Sequence, residues 1–193
     1  MSDRPLDGLD ETDAGPRDHG HDHGRDHVAI RVVVDDLAFV TADAVLRPAD
    51  ETLNPVTPAA SRLDQLAGER FAQQRKVSSP LEAGAAVVTG GGDLAAPFVI
   101  HLVVRDERSA VRPDIVRRAL VSAWQRAKDW QLATLATPLV GAGAGQLAIE
   151  DAAALLAETF AAAYGPGERA ELCIVLERER DLEIVEAAVR RPR

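Results

Sequence analysis

LATLATPLVGAGAGQLAIEDAAA, Leu132–Ala154, is the segment around which the rest of the chain is arranged. Leu132 to Val140 reads as an apolar strand, and Gly141-Ala142-Gly143-Ala144-Gly145 as a glycine hinge. A helix follows from about Ile149, with Glu150 and Asp151 in its first turn. Alternate glycines remove Cβ atoms where a backbone turns sharply or lies against a ligand, and the N–H groups at the next helix start attract anions. The hinge is therefore a candidate phosphate-binding loop. The alternative is an ordinary strand-to-helix turn in a chain rich in alanine and glycine.

Upstream of this segment, Pro113 and Asp114 open a helix whose apolar stripe is Ile115, Val116, Ala119, Leu120, Ala123, Trp124 and Ala127. Before it, strands are expected at Ala85–Thr89 and Phe98–Val104, separated by the turn Gly90-Gly91-Gly92-Asp93. Further back lie strands at His27–Val34 and Asp43–Leu46, then a loop holding Pro48, Pro55 and Pro58. A helix N-capped by Ser61 follows to about Gln74, weakened at Gly68. Downstream, the helix Ile149–Ala163 stops at Gly165-Pro166-Gly167, and a strand at Glu171–Leu176 and a closing helix at Asp181–Val189 complete the series. Alternating strands and helices predict an α/β fold, a three-layer α/β/α sandwich about a mixed, largely parallel sheet. In such sheets ligands sit at the carboxyl ends of the strands, where Gly141–Gly145 falls.

The chain has 193 residues, 46% of them hydrophobic and few aromatic, so a single domain with an aliphatic core is expected over residues 28–193. Residues 1–27 are acidic and nearly devoid of apolar residues, and are expected to be a disordered tail. His19, His21, His23 and His27 alternate there with Asp and Gly, a composition that can gather a transition metal, although a solvated tail lacks the second shell that fixes ligands. Outside the tail nothing stands at metal-ligand spacing. A net charge of -9 argues against general nucleic-acid binding. Arg117, Arg118, Arg126 and Lys128 read as the wet face of their helix. The lone Cys173 lies in an apolar run, excludes an internal disulfide and reads as a buried thiol. No apolar run is long enough to span a bilayer, and a soluble, cytoplasmic protein is the expectation.

Four stretches, in order, resemble the macro domain, the α/β/α module that binds ADP-ribose and in some branches hydrolyses its esters. Asp35-Asp36-Leu37 followed by Ala42-Asp43-Ala44-Val45-Leu46 is similar to the family's opening acid and V-D-A-I-V strand. Leu81 and Gly84 to Leu94 resemble its middle strand and turn, and Val99-Ile100-His101-Leu102-Val103 its V-I-H-x-V strand. Thr137-Pro138-Leu139-Val140-Gly141-Ala142-Gly143-Ala144-Gly145 resembles its phosphate loop, P-x-I-G-T-G-x-x-G. The resemblance covers residues 29 to about 180. Three places depart from it. The family's N-A-A-N reads Arg47-Pro48-Ala49-Asp50, its glycine-rich first loop G-G-G-V reads Val56-Thr57-Pro58-Ala59, and Ala142 stands where a threonine is common.

The resemblance implies binding of ADP-ribose or a related nucleotide diphosphate, with no further cofactor. The implied ligand residues are Asp36 with Leu37 on the adenine side and Gly141, Ala142, Gly143, Ala144 and Gly145 on the diphosphate side. Asp36 also reads as a turn residue capping local N–H groups. Asp50 is the candidate general base for an ester-hydrolysing alternative, with Asp93 or Glu51 behind it. His101, in mid-strand between Ile100 and Leu102, reads as a buried histidine held by hydrogen bonds. A third possibility is a fold without a nucleotide, serving structure or protein contact, with Asn54–Pro58 plugging the cleft.

Overall fold

The computed structural model describes residues 27–107, 110–142 and 147–190. Six strands, β1 (Val28–Val34), β2 (Ala44–Ala49), β3 (Ala86–Gly90), β4 (Phe98–Val103), β5 (Thr134–Thr137) and β6 (Ala170–Leu176), form one sheet in the order β1-β6-β5-β2-β4-β3. Every neighbouring pair is parallel except β3 with β4, which form a hairpin through the glycine turn. Four helices, α1 (Pro58–Gln74), α2 (Pro113–Asp129), α3 (Ile149–Ala163) and α4 (Leu182–Arg190), complete the expected α/β/α fold.

Successive strand residues point to opposite faces, and the two faces pack differently. Leu46, Ile100, Leu135, Leu172 and Ile174 meet the stripes of α2, α3 and α4, where Trp124 and Phe160 stack edge to face. Val45, Val99, Ala136, Cys173 and Val175 meet Leu63, Ala67 and Phe71 of α1. Cys173 is buried, and burial pushes its thiol up.

Three elements differ from the sequence reading by more than a single residue at an end, each for a local reason. First, β5 is shorter than Leu132–Val140. Leu132 N–H still bonds Ala127 at the end of α2, and the Asp43 carboxylate takes the N–H groups of Ala133 and Thr134 at 2.8 and 2.7 Å. Pro138 then withholds a donor at the other end. Second, β2 runs on to Ala49, through Pro48, which is tolerated because β5 flanks only Ala44 and Val45. Third, α1 begins a turn before Ser61. Thr57 is its N-cap, its Oγ1 accepting from Ala60 N–H at 3.1 Å, and Pro58 occupies the first helical position, where a missing N–H costs nothing. Gly68 does more than weaken α1. At φ 78° and ψ -175° it interrupts the helix beside Asp93.

Candidate functional site

A cleft of about 770 Å³ opens at the carboxyl ends of β1, β2, β5 and β6. That is the position a parallel sheet reserves for ligands, and the size suits a nucleotide. The turn after β1 supplies Asp36 and Leu37, β2 supplies Pro48, and the start of α1 supplies Thr57, Pro58, Ala59 and Arg62. The segment after β5 supplies Pro138, Leu139 and Ala142, and Ile149 begins α3. Glu177, Arg178 and Asp181 close the cleft after β6. Thr57 and Pro58 thus border the space rather than plugging it.

The sequence-predicted residues divide accordingly. Asp36 and Leu37 form a short 3-10 turn, with Asp36 Oδ1 capping Ala38 N–H at 3.1 Å. Asp36 thus caps its turn, and it also lines the cleft. Its Oδ2 receives Arg62 Nε at 2.9 Å and Nη2 at 2.8 Å. Ala142 lines the cleft, while Gly141 is buried behind it at φ 94°. A Cβ on Gly141 would lie 3.0 Å from Leu147 Cδ1 and 3.2 Å from Val116 Cγ2, so both backbone conformation and space favour glycine. Gly143, Ala144 and Gly145 lie outside the described residues, as do His19, His21 and His23. Among the described residues no group of His, Cys, Asp or Glu is arranged to hold a metal, and no helix is long and apolar enough to cross a membrane.

Asp50 is not among the cleft-lining residues. Its Oδ1 accepts from Thr52 N–H at 2.9 Å, Thr52 Oγ1 at 2.8 Å and Asn54 N–H at 2.8 Å. Partial burial works to raise its pKa, but these hydrogen bonds to the ionised form outweigh it and hold the carboxyl below the usual range.

Beneath the cleft, on the α1 face of the sheet, lies a buried charged cluster whose assembly the sequence reading missed. Arg47, fully buried on β2, faces Asp64 of α1 with Nε to Oδ1 and Nη2 to Oδ2, both at 2.5 Å. Burial lowers its pKa and Asp64 opposes the shift. Its Nη1 donates to Leu53 C=O at 3.1 Å and stands 3.3 Å from His101 Nδ1. Since guanidinium only donates, Nδ1 is the acceptor there, and Nε2 carries the proton toward Thr89 Oγ1 at 2.8 Å. His101 also stacks on Phe71, with ring centroids 5.5 Å apart. Desolvation, with Arg47 and Arg75 adding to it, pulls the His101 pKa down to about 3, so it is a neutral core histidine. Arg75 donates to the same Leu53 carbonyl at 3.0 Å, fixing a residue whose φ of 61° is unusual outside glycine.

Arg62 was also missed, because its place on the cleft depends on starting α1 at Pro58. With that start it stands one turn beyond Pro58 and Ala59, on the same helix face.

Known proteins from several organisms resemble this chain. A protein of Aeropyrum pernix is 32% identical over 126 residues, covering 64% of this chain and 66% of its own length. One of Mycobacterium tuberculosis is 24% identical over 129 residues, covering 67% of this chain and 36% of its own. The chain therefore spans less than two thirds of these relatives. The Oceanobacillus iheyensis macrodomain, solved with MES and with ADP, superposes at TM-scores of 0.74 and 0.71. It is 20% identical in both structures, which cover 83% of this chain and 89% of that one, a likeness of fold. The sequence pattern of the Macro domain family matches residues 47–156, more than half of the chain, and the protein belongs to that family.

Proposed function

We propose that the cleft binds ADP-ribose or a related nucleoside diphosphate, with the base at Asp36 and the diphosphate at the start of α3. The observation that carries this reading is the cleft itself, open at the carboxyl ends of four strands and lined by Asp36 on one side and Ala142 and Ile149 on the other. The α3 N-cap is Ala148, which makes no side-chain cap hydrogen bond. The first N–H groups of α3 have no intrahelical acceptor, and such a helix start suits a diphosphate. That the O. iheyensis macrodomain, of the same fold, was solved with ADP supports a nucleotide of this class as the ligand.

Binding is favoured over ester hydrolysis by the position of Asp50, outside the cleft lining and with Oδ1 shared among three donors. Calorimetry with ADP-ribose tests the proposal, alongside Ala142→Glu, which sets a carboxylate against the diphosphate. Saturable heat that the substitution abolishes is the expected result. No heat at millimolar ADP-ribose, or equal binding by the variant, removes the reading.

A further inference from the structure

Every described charged side chain on the cleft is either a carboxylate, at Asp35, Asp36, Glu177 and Asp181, or one of two arginines, Arg62 and Arg178. Arg178 Nε is held by Asp181 Oδ2 at 3.0 Å, and Asp181 is almost fully buried. Arg62 is placed differently. It reaches across from α1 to Asp36, its side chain is 62% exposed, and its Nε and Nη2 converge on the single oxygen Oδ2. Since Oδ1 caps Ala38, the carboxylate that would receive an amino group from a base is already engaged at both oxygens. Oδ2 already takes two donors, so a base amino group that approaches this oxygen competes with Arg62 there.

The same guanidinium lies on the helix face that carries Pro58 and Ala59 to the cleft. Released from Asp36, this long, exposed side chain stays within the cleft it lines, which also holds the start of α3 at Ile149. An exposed ion pair is weak and readily exchanged, whereas guanidinium meets phosphate oxygens in a planar, two-pronged fit.

We propose that Arg62 contacts the nucleotide directly and exchanges partners on binding, leaving Asp36 Oδ2 to the base amino group and pairing with a phosphate. This rests on the nucleotide-binding reading of the cleft and goes beyond it: the residue determines specificity for phosphorylated ligands. It makes opposite predictions for two ligands that share a base. For adenosine, Arg62 is only a competitor for Asp36; for ADP, it is a competitor and then a partner.

The test is titration of the full chain with adenosine and with ADP, by calorimetry or by nuclear magnetic resonance, for the wild type, Arg62→Ala and Arg62→Lys. Arg62→Ala is expected to weaken ADP by about tenfold or more, the usual worth of a charge-assisted contact, and to leave adenosine equal or tighter. Arg62→Lys should recover part of the ADP affinity, since it keeps the charge and loses the planar fork. A thermal melt matching the wild type shows that each variant is folded. ADP affinity unchanged within about twofold in Arg62→Ala overturns the proposal. A parallel loss of adenosine and ADP also overturns it, since Arg62 would then merely shape the cleft, as does Arg62→Lys recovering nothing. A wild type that binds neither ligand fails at the first titration and removes the reading of the cleft along with this one.

Discussion

The cleft is bordered by two helix starts built in opposite ways. At α1, Thr57 caps Ala60 N–H, Pro58 has no N–H to offer, and the preceding loop is tied down by side chains: Asp50 holds Thr52 and Asn54, and two guanidinium groups hold the Leu53 carbonyl. At α3 the N-cap Ala148 makes no side-chain cap hydrogen bond, and Gly141, after β5, lies in the left-handed region. A hydrogen-bonding group spent on the fold is not available to a ligand. The backbone of the first border is braced and offers few free donors, while the N–H groups that open α3 have no acceptor within their own helix.

The largest expected effect comes from breaking the first border. Asp64→Ala strands the fully buried Arg47 without its carboxylate, and removing one partner of a buried pair costs about 3–5 kcal/mol. That is a large share of the about 5–15 kcal/mol that stabilises a typical domain. Urea denaturation measures it; a loss below about 1 kcal/mol would mean that the cluster does not brace the α1 side.

The same cluster makes stability depend on pH. The unfolded chain takes up a proton on His101 near its ordinary 6.5, whereas the folded chain resists until about pH 3. Between those values the unfolded state binds more protons, so stability is complete above pH 6.5 and falls as pH is lowered. At pH 5 the loss relative to pH 8 is about 2 kcal/mol. Asp50, held below its ordinary value, adds a loss of the same sign only in more acid solution. Denaturation midpoints across this range check the slope, and His101→Gln should flatten it between pH 5 and 6.5. An equal slope in that variant would assign the effect to other groups.

The second border responds more mildly. Gly141→Ala forces a side chain into a φ of 94° and to 3.0 Å from Leu147 Cδ1. A strain of about 1–2 kcal/mol is expected, read as a lower melting temperature together with weaker ADP-ribose binding. Full retention of both would mean that the hinge adapts without a glycine.

Strand and helix order was legible in the sequence because α2 repeats its apolar stripe at helical spacing, while β4 and β6 are short, nearly continuous apolar runs, as strands of a sheet covered on both faces must be. The charged cluster was not. Arg47 shares the inward face of β2 with Val45, and Asp64 falls on the α1 stripe with Ala60, Ala67 and Phe71. Each looks like a defect in its own pattern, and only the register of β2 beside β4, with α1 across it, turns two defects into a pair. Asp50 was legible as a residue standing where the family has an amide, but local hydrogen bonding decides which way its carboxylate faces. Asp36 was readable because its position, just past a strand and before a tight turn, is set by near neighbours.

The smallest expected effect is the most direct measure of the contrast between the borders. Of the amides of Pro58, Ala59 and Ala60, the first has no N–H and the third is taken by Thr57, so the α1 backbone presents a single donor, that of Ala59, and in the proposed pose the ribose that ADP-ribose carries beyond its diphosphate would fall to this border. In the proposed pose the diphosphate takes the donors of the α3 start and the adenine takes Asp36, and ADP carries both of those groups. ADP should therefore bind within about tenfold of ADP-ribose, the worth of one hydrogen bond from an uncharged donor. Competition between the two ligands, measured by calorimetry, gives the ratio without an absolute scale. Thr57→Val removes the cap and releases the Ala60 N–H, and should move the ratio toward ADP-ribose while lowering stability by about 1 kcal/mol. A preference for ADP-ribose beyond about a hundredfold in the wild type would need two or more good hydrogen bonds to the distal ribose, and would break the contrast by showing that the α1 border binds as well as braces.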